Sequence, residues 1–376
     1  MAWRGLSSFL AVAALGLERL AFYSMRGQLA PHLMAQGMEA SLVFAKIASM
    51  RQVGLALTLL FALIAAFVPR AIIAVLGLLL ATVGAGLAVL GAPPSFETGA
   101  WLMLAGSGIF KAVSLAMCAE YLSSTRFKIG LAVIAYAAIN WSSISGPLLS
   151  TIAAAPLVIY GLATFVAMSA LGWSLFKAAP TEPSQPKPFD GVALTLLVLP
   201  IVAGFWMAEE QIYAAKAVAE GPLWLITSGG YVVIGAAMAI GMVLMILPPR
   251  LLPKVTLGSL TMGMAVIVGI LVALLLERPL EQVGAIILLE LSSLAEVAFI
   301  AVAMGASVAL ASPRAAPFLL ALFHLMSMVG QFSEPGTPAY RRVTGVLILL
   351  LGVPLFGILV AQRKSVLGPL EGKPGP

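Results

Sequence analysis

The sequence predicts an all-α protein that crosses a membrane many times. Three observations favour this fold class: 61% of its 376 residues are hydrophobic, only 10% are charged, and the mean hydropathy is +1.07. Soluble globular chains carry about 25% charged residues. Since a chain of this length and composition cannot hide its apolar side chains in one aqueous core, we expect the lipid bilayer to surround it.

Apolar segments long enough to cross the membrane recur along the whole chain. A helix needs roughly 20 residues to cross about 30 Å of hydrocarbon. Turn-prone runs such as GAPPSFETG at 91–99 and SEPGTPAY at 333–340 separate neighbouring segments. Twelve transmembrane helices are therefore predicted. Their spans are 6–31, 42–68, 70–92, 98–122, 128–150, 153–176, 191–216, 222–248, 253–276, 282–311, 315–333 and 343–363.

One polar, proline-rich stretch, KAAPTEPSQPKPFD at 177–190, divides the predicted spans six and six. Its composition is typical of an extended linker. We therefore predict an N-terminal six-helix bundle over 1–176, a cytoplasmic linker over 177–190, a C-terminal six-helix bundle over 191–366 and a cytoplasmic tail over 367–376. No residue-level repeat relates the two halves, so this division rests on the number of spans and on the loop charges.

Basic residues in the loops alternate between the two sides of the predicted topology. Twelve fall on one side and four on the other, which predicts that the richer side is cytoplasmic. Both termini then lie in the cytoplasm, and we expect a multi-pass protein of the cell inner (plasma) membrane. The richer side carries Arg4, Arg70, Arg126, Lys128, Lys177, Lys187, Arg250, Lys254, Arg314, Arg363, Lys364 and Lys373. The other side carries Lys216, Arg278, Arg341 and Arg342.

The composition argues against several other functions. The formal net charge of +6 reflects loop topology, and the aromatic residues are not interleaved with a basic stripe, so no nucleic-acid partner is expected. His32 and His324 belong to no Cys/His cluster, so neither a metal nor another cofactor is predicted. The single cysteine excludes an internal disulfide. An intramembrane hydrolase would have to pair Ser107 with His324, and nothing in the sequence orients that histidine, so we expect no enzyme.

Ionisable residues lie inside several predicted spans, where each costs about 2.5–3.5 kcal/mol on insertion scales. The first span contains LGLERLAFYSMRGQL at 15–29, with Glu18, Arg19 and Arg26. The others are Lys46, Arg51, Lys111, Glu120, Glu209, Glu210, Glu290 and Glu296. Buried structural ion pairs are one interpretation. Because the charges come from both halves of the chain and include both signs, a site for a zwitterion or a proton relay is the interpretation that we favour.

Five stretches, in order along the whole chain, carry a family resemblance. They are LERLAFYSMRGQL (17–29), GSGIFKAVSLAMCAEYL (106–122), YAAINWSSISGPLL (136–149), FWMAEEQIYAA (205–215) and LSSLAEVAFIAVAMGASVALASP (291–313). The chain in these stretches resembles the proton-dependent oligopeptide transporter (POT) family, the peptide branch of the major facilitator superfamily. The first resembles its ExxERFxYYGxR signature, the third its YxxINxG…P stretch and the fourth its FWxxxEQ motif. The second and fifth resemble the lysine-bearing fourth span and the glutamate-bearing tenth span.

The resemblance implies the major facilitator fold, with a binding site near mid-membrane between the halves. It implies that Arg19 and Lys111 bind the carboxylate of a peptide, and that Asn140 and Glu296 receive its amino terminus. Tyr23 matches the second tyrosine of the signature. Trp206, one turn before a glutamate of the seventh span, is a candidate wall of the side-chain pocket. The predicted substrate-binding residues are Arg19, Tyr23, Lys111, Asn140, Trp206 and Glu296.

The resemblance also implies that protons are the coupling ion, with no other cofactor. The implied proton-coupling residues are Glu18, Arg19, Lys111, Glu210 and Glu296. The chain departs from the signature at three positions, where Leu15 replaces its first glutamate, Phe22 its first tyrosine and Ser24 its glycine. These departures and the short loops are typical of a divergent, shortened member of the family.

We therefore expect a proton-coupled secondary transporter of di-/tripeptides or peptide-like compounds that works by alternating access. A transporter or exporter of another amphoteric small molecule is the alternative. Leu15 favours it, and so does Ser228, which stands in LITSGGYVV of the eighth span where the family usually has an asparagine. A transport-inactive membrane receptor or scaffold is a more remote alternative. The expected partners are a small peptide or peptide-like substrate, protons and the lipid bilayer. A bundle that encloses its own site can act as a monomer.

Overall fold

The computed structural model is helical along nearly all of its described part, which comprises residues 2–90, 93–120, 122, 124–175, 191–214, 223–275, 282–331 and 338–371. A helix overlaps each predicted span. The first six are α1 (Ala2–Ala35), α2 (Ala40–Ile64), α3 (Arg70–Val89), α4 (Pro93–Glu120), α5 (Thr125–Leu148) and α6 (Ala155–Leu175). They are followed by α7 (Val192–Ala214), α8 (Leu223–Ile246) and α9 (Leu252–Leu275).

The tenth helix, α10, has three parts: Gln282–Ala295, a π-helical turn at Glu296–Ala301, and Val302–Leu310. Two long helices follow, α11 (Ala316–Gln331) and α12 (Pro338–Ala361). Short helical turns lie at Pro249–Leu251, Arg363–Val366 and Gly368–Glu371.

Nine helices in the described part of the chain are long and apolar enough to cross a membrane, judged by length and composition. Three further apolar helical stretches are shorter: Ala155–Ala170, Ala316–Ser327 and Gly345–Ala361. The all-α, multi-pass prediction is therefore confirmed. The count of twelve crossings stays a prediction.

The chain forms two compact units. The first comprises Met1–Leu122, Ala138–Pro183 and Pro313–Ala321; the second comprises Ser123–Ala137, Ser184–Ser312 and Leu322–Pro376. Helices α5 and α11 each contribute residues to both units. The predicted bundles over 1–176 and 191–366 stay a prediction, and the predicted linker at 177–190 lies outside the described residues.

In the first unit, α3 packs closely along α4 because glycines face each other. A Cβ atom at Gly77 would lie 2.7 Å from the carbonyl oxygen of Gly106, and one at Gly84 would lie 2.6 Å from the carbonyl oxygen of Gly99. Only a small residue permits such an approach of two backbones. The glycines of GSGIF at 106–110 therefore serve close helix packing.

Helix α1 packs against α4 and α6 in the same unit. Leu15, Met25 and Leu29 on α1 are almost fully buried. The hydroxyl of Ser142 donates a hydrogen bond to the carbonyl oxygen of Gly16 at 2.9 Å. This packing encloses Glu18 and Arg19 of α1 among apolar helices.

In the second unit, α7 packs against α9 and α12, and the first part of α10 packs against α8 and α9. The π-helical turn of α10 contacts α9 and is buried along its whole length. The hydroxyl of Ser259, on α9, donates a hydrogen bond to the carbonyl oxygen of Ala298 at 2.8 Å. Short π-helical turns inside α-helices are frequent at functional sites, so this turn is a place to look for one.

Candidate functional site

Three side chains form a closed hydrogen-bond network in the first unit. The guanidinium of Arg19 donates to both carboxylate oxygens of Glu18, from Nε to Oε2 at 2.5 Å and from Nη2 to Oε1 at 2.6 Å. The hydroxyl of Ser107 accepts from Nη2 of Arg19 at 2.6 Å and donates to Oε1 of Glu18 at 2.5 Å. All three side chains are buried. We call Glu18, Arg19 and Ser107 the α1–α4 network.

The α1–α4 network limits what Arg19 can offer to a substrate. Three of the five guanidinium N–H groups are used, one on Nε and two on Nη2. The guanidinium also lies over the ring of Phe22, 4.7 Å from its centroid. A two-pronged grip on a carboxylate needs two parallel N–H groups on adjacent nitrogens. In this arrangement, Nη1 is the nitrogen left to meet a ligand.

Lys111 lies one turn after Ser107 on α4, on the same face of the helix. Its side chain is half-buried and lies within electrostatic reach of Glu18, Arg19 and Arg51. Lys111 forms no ion pair with any side chain that the structure describes. An ammonium beside a neutralised ion pair creates an excess of positive charge, which suits an anionic group of a ligand.

An apolar residue, Leu15, occupies the position at which the ExxERFxYYGxR signature has its first glutamate. Leu15 is 2% exposed and lies one turn before Arg19 on α1. Tyr160, on α6, is fully buried and lies within electrostatic reach of Glu18 and Arg19. Glu18 is thus the carboxylate that balances Arg19 in this part of the first unit.

A second buried carboxyl group lies in the second unit. Glu296 is the first residue of the π-helical turn in α10 and is 4% exposed. The phenolic hydroxyl of Tyr136, on α5, donates a hydrogen bond to its Oε1 at 2.5 Å. No ion pair joins Glu296 to a side chain in the described part of the chain. The group is therefore held by a neutral donor rather than by a cation.

The other predicted site residues lie on α1, α5 and α7. Tyr23 is half-buried, with its ring 5.4 Å from that of Phe22 in an edge-to-face arrangement. Asn140 is half-buried on α5, one turn after Tyr136. Trp206 is half-buried on α7. Glu210 belongs to the same helix, and its side chain lies outside the described residues.

Ser107 and Tyr136 are not among the site residues predicted from the sequence. The hydroxyl of Ser107 joins Glu18 to Arg19. Tyr136 opens the quoted YAAIN stretch without a role of its own, whereas it donates to Glu296. The available signal was spacing, because Ser107 lies one turn before Lys111 and Tyr136 lies one turn before Asn140.

The chemistry of these groups suits binding and proton transfer. The hydroxyl of Ser107 donates to a carboxylate and not to a histidine, so it is not arranged as a nucleophile. Among the described residues, no group of three or more His, Cys, Asp or Glu side chains could hold a metal ion. The absence of a cofactor stays a prediction.

Comparisons with known proteins add evidence on the fold. No protein-family model matches the sequence, and no curated protein matches it. Solved structures do match. The chain is similar to FucP, a major facilitator superfamily transporter in the outward conformation, with a TM-score of 0.64 at 13% identity over 93% of this chain and 98% of that one.

Two further structures give comparable matches. The human organic anion transporter MFSD10 (TETRAN) has a TM-score of 0.64 at 14% identity, covering 97% of this chain and 99% of that one. A mutant of the peptide transporter POT in complex with alafosfalin has a TM-score of 0.58 at 15% identity, covering 96% and 95%. The fold is that of the major facilitator transporters. At these identities the likeness concerns the fold alone, so each residue's role in this chain follows from its own contacts.

Proposed function

We propose that this protein is a proton-coupled secondary transporter of di-/tripeptides or peptide-like compounds. It would act by alternating access in the cell inner membrane, with both termini in the cytoplasm. One observation carries the proposal: each unit holds an ionisable group among apolar helices. In the first unit it is the excess cation Lys111, next to the α1–α4 network, and in the second unit it is the carboxyl group of Glu296. Ionisable groups are expensive inside a membrane, and such groups mark substrate and proton pathways.

The signs of these groups fit an amphoteric substrate. Lys111, together with Nη1 of Arg19, would receive a carboxylate, since ammonium and guanidinium groups donate hydrogen bonds and accept none. Glu296 would receive an ammonium group, with Asn140 as a neutral acceptor on α5. Tyr23 and Trp206 stay the candidates for further contacts with the substrate. A peptide transporter in complex with alafosfalin is among the proteins that share the fold.

Proton coupling needs a carboxyl group that can gain and lose a proton during the cycle. Glu18 accepts three hydrogen bonds, two of them from Arg19, so we assign it to the α1–α4 network rather than to proton transfer. Leu15 cannot carry one. We therefore assign proton transfer to Glu210 and Glu296, with Arg19 and Lys111 as the cations that respond to it.

A second function is favoured by one specific observation. Leu15 is buried where the peptide transporters' signature has its first glutamate, so the proton machinery of this chain is smaller. A transporter or exporter of another amphoteric or anionic small molecule fits this difference. A human organic anion transporter shares the fold. A transport-inactive receptor is the outcome if no substrate is moved.

A thermal-shift screen of the purified protein tests the substrate class. Dialanine, trialanine and their C-terminal amides and N-acetylated forms are compared. A ligand that binds only the folded state raises the melting temperature by mass action. We expect stabilisation by the free peptides and little by either blocked form. Stabilisation by an N-acetylated peptide equal to that by the free peptide would favour an anion transporter.

Uptake into proteoliposomes tests transport and coupling. Radiolabelled dialanine should accumulate when the outside is acidic, and accumulation should stop when a protonophore dissipates the gradient. Equal uptake with and without the gradient would contradict proton coupling. No uptake of any compound that stabilises the protein would favour the receptor.

A further inference from the structure

Ser107 lies on α4 one turn before Lys111, and its side chain is hydrogen-bonded to both Glu18 and Arg19. Its hydroxyl donates to Oε1 of Glu18, and the ammonium of Lys111 lies one turn further along α4 within electrostatic reach of the same carboxylate. The side chain of Ser107 is 2% exposed, so water does not compete for these hydrogen bonds. We propose that Ser107 is a positioning residue that holds the Glu18 carboxylate on Arg19 and away from Lys111, so that Lys111 stays available for the anionic group of a substrate.

The hydrogen-bond inventory of the carboxylate supports this role. Oε1 of Glu18 receives two hydrogen bonds, one from Nη2 of Arg19 and one from Ser107, and Oε2 receives one from Nε of Arg19. The two donors to Oε1 approach from α1 and α4. A buried carboxylate that loses a donor seeks another, because an unsatisfied polar group inside a protein is costly. Without the hydroxyl of Ser107, the nearest free cationic donor on α4 is Lys111.

A Glu18–Lys111 ion pair would change what the site binds. It would move the excess positive charge from the half-buried Lys111 to Arg19, which is 6% exposed, and the carboxylate of a substrate would then have to displace Glu18 to reach the ammonium of Lys111. Ser107 thereby keeps Arg19 paired with Glu18, and Lys111 becomes the principal cation for the substrate. This inference rests on the proposed function only where it concerns the substrate.

The first test measures Lys111 itself, without a substrate. The detergent-solubilised full-length protein is treated briefly with acetic anhydride, and acetylation of each lysine is quantified by mass spectrometry. An ammonium held in an ion pair stays protonated and reacts more slowly. We expect Ser107→Ala to lower the acetylation of Lys111 by at least about threefold relative to Lys254, and the double variant Ser107→Ala/Glu18→Gln to restore it.

The second test measures binding by titration of the thermal shift with dialanine and its C-terminal amide. We expect Ser107→Ala to weaken dialanine binding by about tenfold, the order of effect of one hydrogen bond to a charged group, and to leave the amide unchanged. Ser107→Thr keeps the hydroxyl and should restore dialanine binding. The same double variant, Ser107→Ala/Glu18→Gln, should also restore it, because glutamine cannot form an ion pair with Lys111.

Ser114→Ala is the matched control, since Ser114 is a buried serine two turns along the same helix. It should change neither the acetylation of Lys111 nor the preference for the free peptide. Unchanged acetylation of Lys111 in Ser107→Ala would overturn the positioning role. An equal loss of binding for dialanine and its amide, without rescue by Glu18→Gln, would also overturn it. If dialanine fails to bind the wild-type protein, the peptide proposal fails, and the acetylation result still decides the role of Ser107.

Discussion

Glu18 and Glu296 are both buried carboxyl groups in apolar helices, and their surroundings differ in kind. Glu18 accepts hydrogen bonds from a guanidinium and a hydroxyl. Glu296 accepts one from the neutral phenol of Tyr136 and starts a π-helical turn. Glu18 thus has a cationic partner and is tied to the packing of α1 on α4, whereas the described hydrogen-bond partner of Glu296 is a neutral phenol. From this difference we expect Glu18 to serve the structure and, under the proposed function, Glu296 to serve proton transfer.

The largest effect is expected from removing Arg19, the cation that pairs with Glu18. Arg19→Ala would leave the Glu18 carboxylate buried without its partner, which typically costs about 3–5 kcal/mol. We expect a large loss of thermal stability in detergent, measured by the melting of intrinsic tryptophan fluorescence. Adding Glu18→Gln should recover part of it, because the uncompensated charge is then gone.

Arg26→Ala is the control for that measurement, since Arg26 lies on the same helix and is exposed. It should melt close to the wild-type protein. If Arg19→Ala melts like Arg26→Ala, the ion pair contributes no stability and the structural role of Glu18 is wrong.

The second prediction concerns which carboxyl group carries the proton during transport. Since Glu18 is committed to Arg19, Glu210→Gln should abolish proton-driven accumulation of substrate in proteoliposomes while counterflow continues, because exchange moves no net protons. Glu18→Gln should retain measurable proton-driven uptake. If Glu210→Gln still concentrates substrate under a pH gradient, Glu296 becomes the principal proton carrier.

The third prediction removes the single described partner of the second carboxyl group. Tyr136→Phe deletes the phenolic donor to Glu296, and we expect a cost of about 1–3 kcal/mol, the usual range for a buried group left without its hydrogen bond. Urea or thermal unfolding measures it. Tyr231→Phe is the control, because Tyr231 is 60% exposed. Equal stability of the two variants would show that the Tyr136 hydrogen bond contributes nothing.

The smallest expected effect on stability is that of Glu296→Gln. The amide oxygen of glutamine can accept the same hydrogen bond from Tyr136, so we expect a change below about 1 kcal/mol. Binding of dialanine should nevertheless weaken relative to its N-acetylated form, because the negative partner of the ammonium is gone. A loss of stability as large as that of Arg19→Ala would instead make Glu296 a structural residue.

The helices of this protein follow directly from hydrophobicity. A segment of about 20 apolar residues has few alternatives in a membrane, because every backbone polar group must be satisfied within the segment. The predicted span at 70–92, for example, is the helix Arg70–Val89. The charges of the first and tenth spans were recognised as candidates for the same reason, since their cost in a membrane requires an explanation.

The partners of those charges were harder to predict. Adjacent residues on a helix do not face each other, so the double hydrogen bond between Glu18 and Arg19 depends on the conformation of two long side chains. Ser107 and Glu18 are distant in sequence and meet because α1 packs on α4. Such contacts depend on tertiary packing, about which a single sequence gives little information.

The π-helical turn in α10 has a consequence for the angular phase of that helix. A π-turn holds one more residue than the α-helix around it, so the faces on its two sides are offset by about 100°, the rotation of one α-helical residue. Ser307 lies beyond the turn, where its hydroxyl accepts a hydrogen bond from Thr195 of α7 at 2.9 Å. In a regular helix of the same sequence, Ser307 would face another direction. The extra residue of the π-helical turn therefore sets which side chains of Val302–Leu310 meet α7.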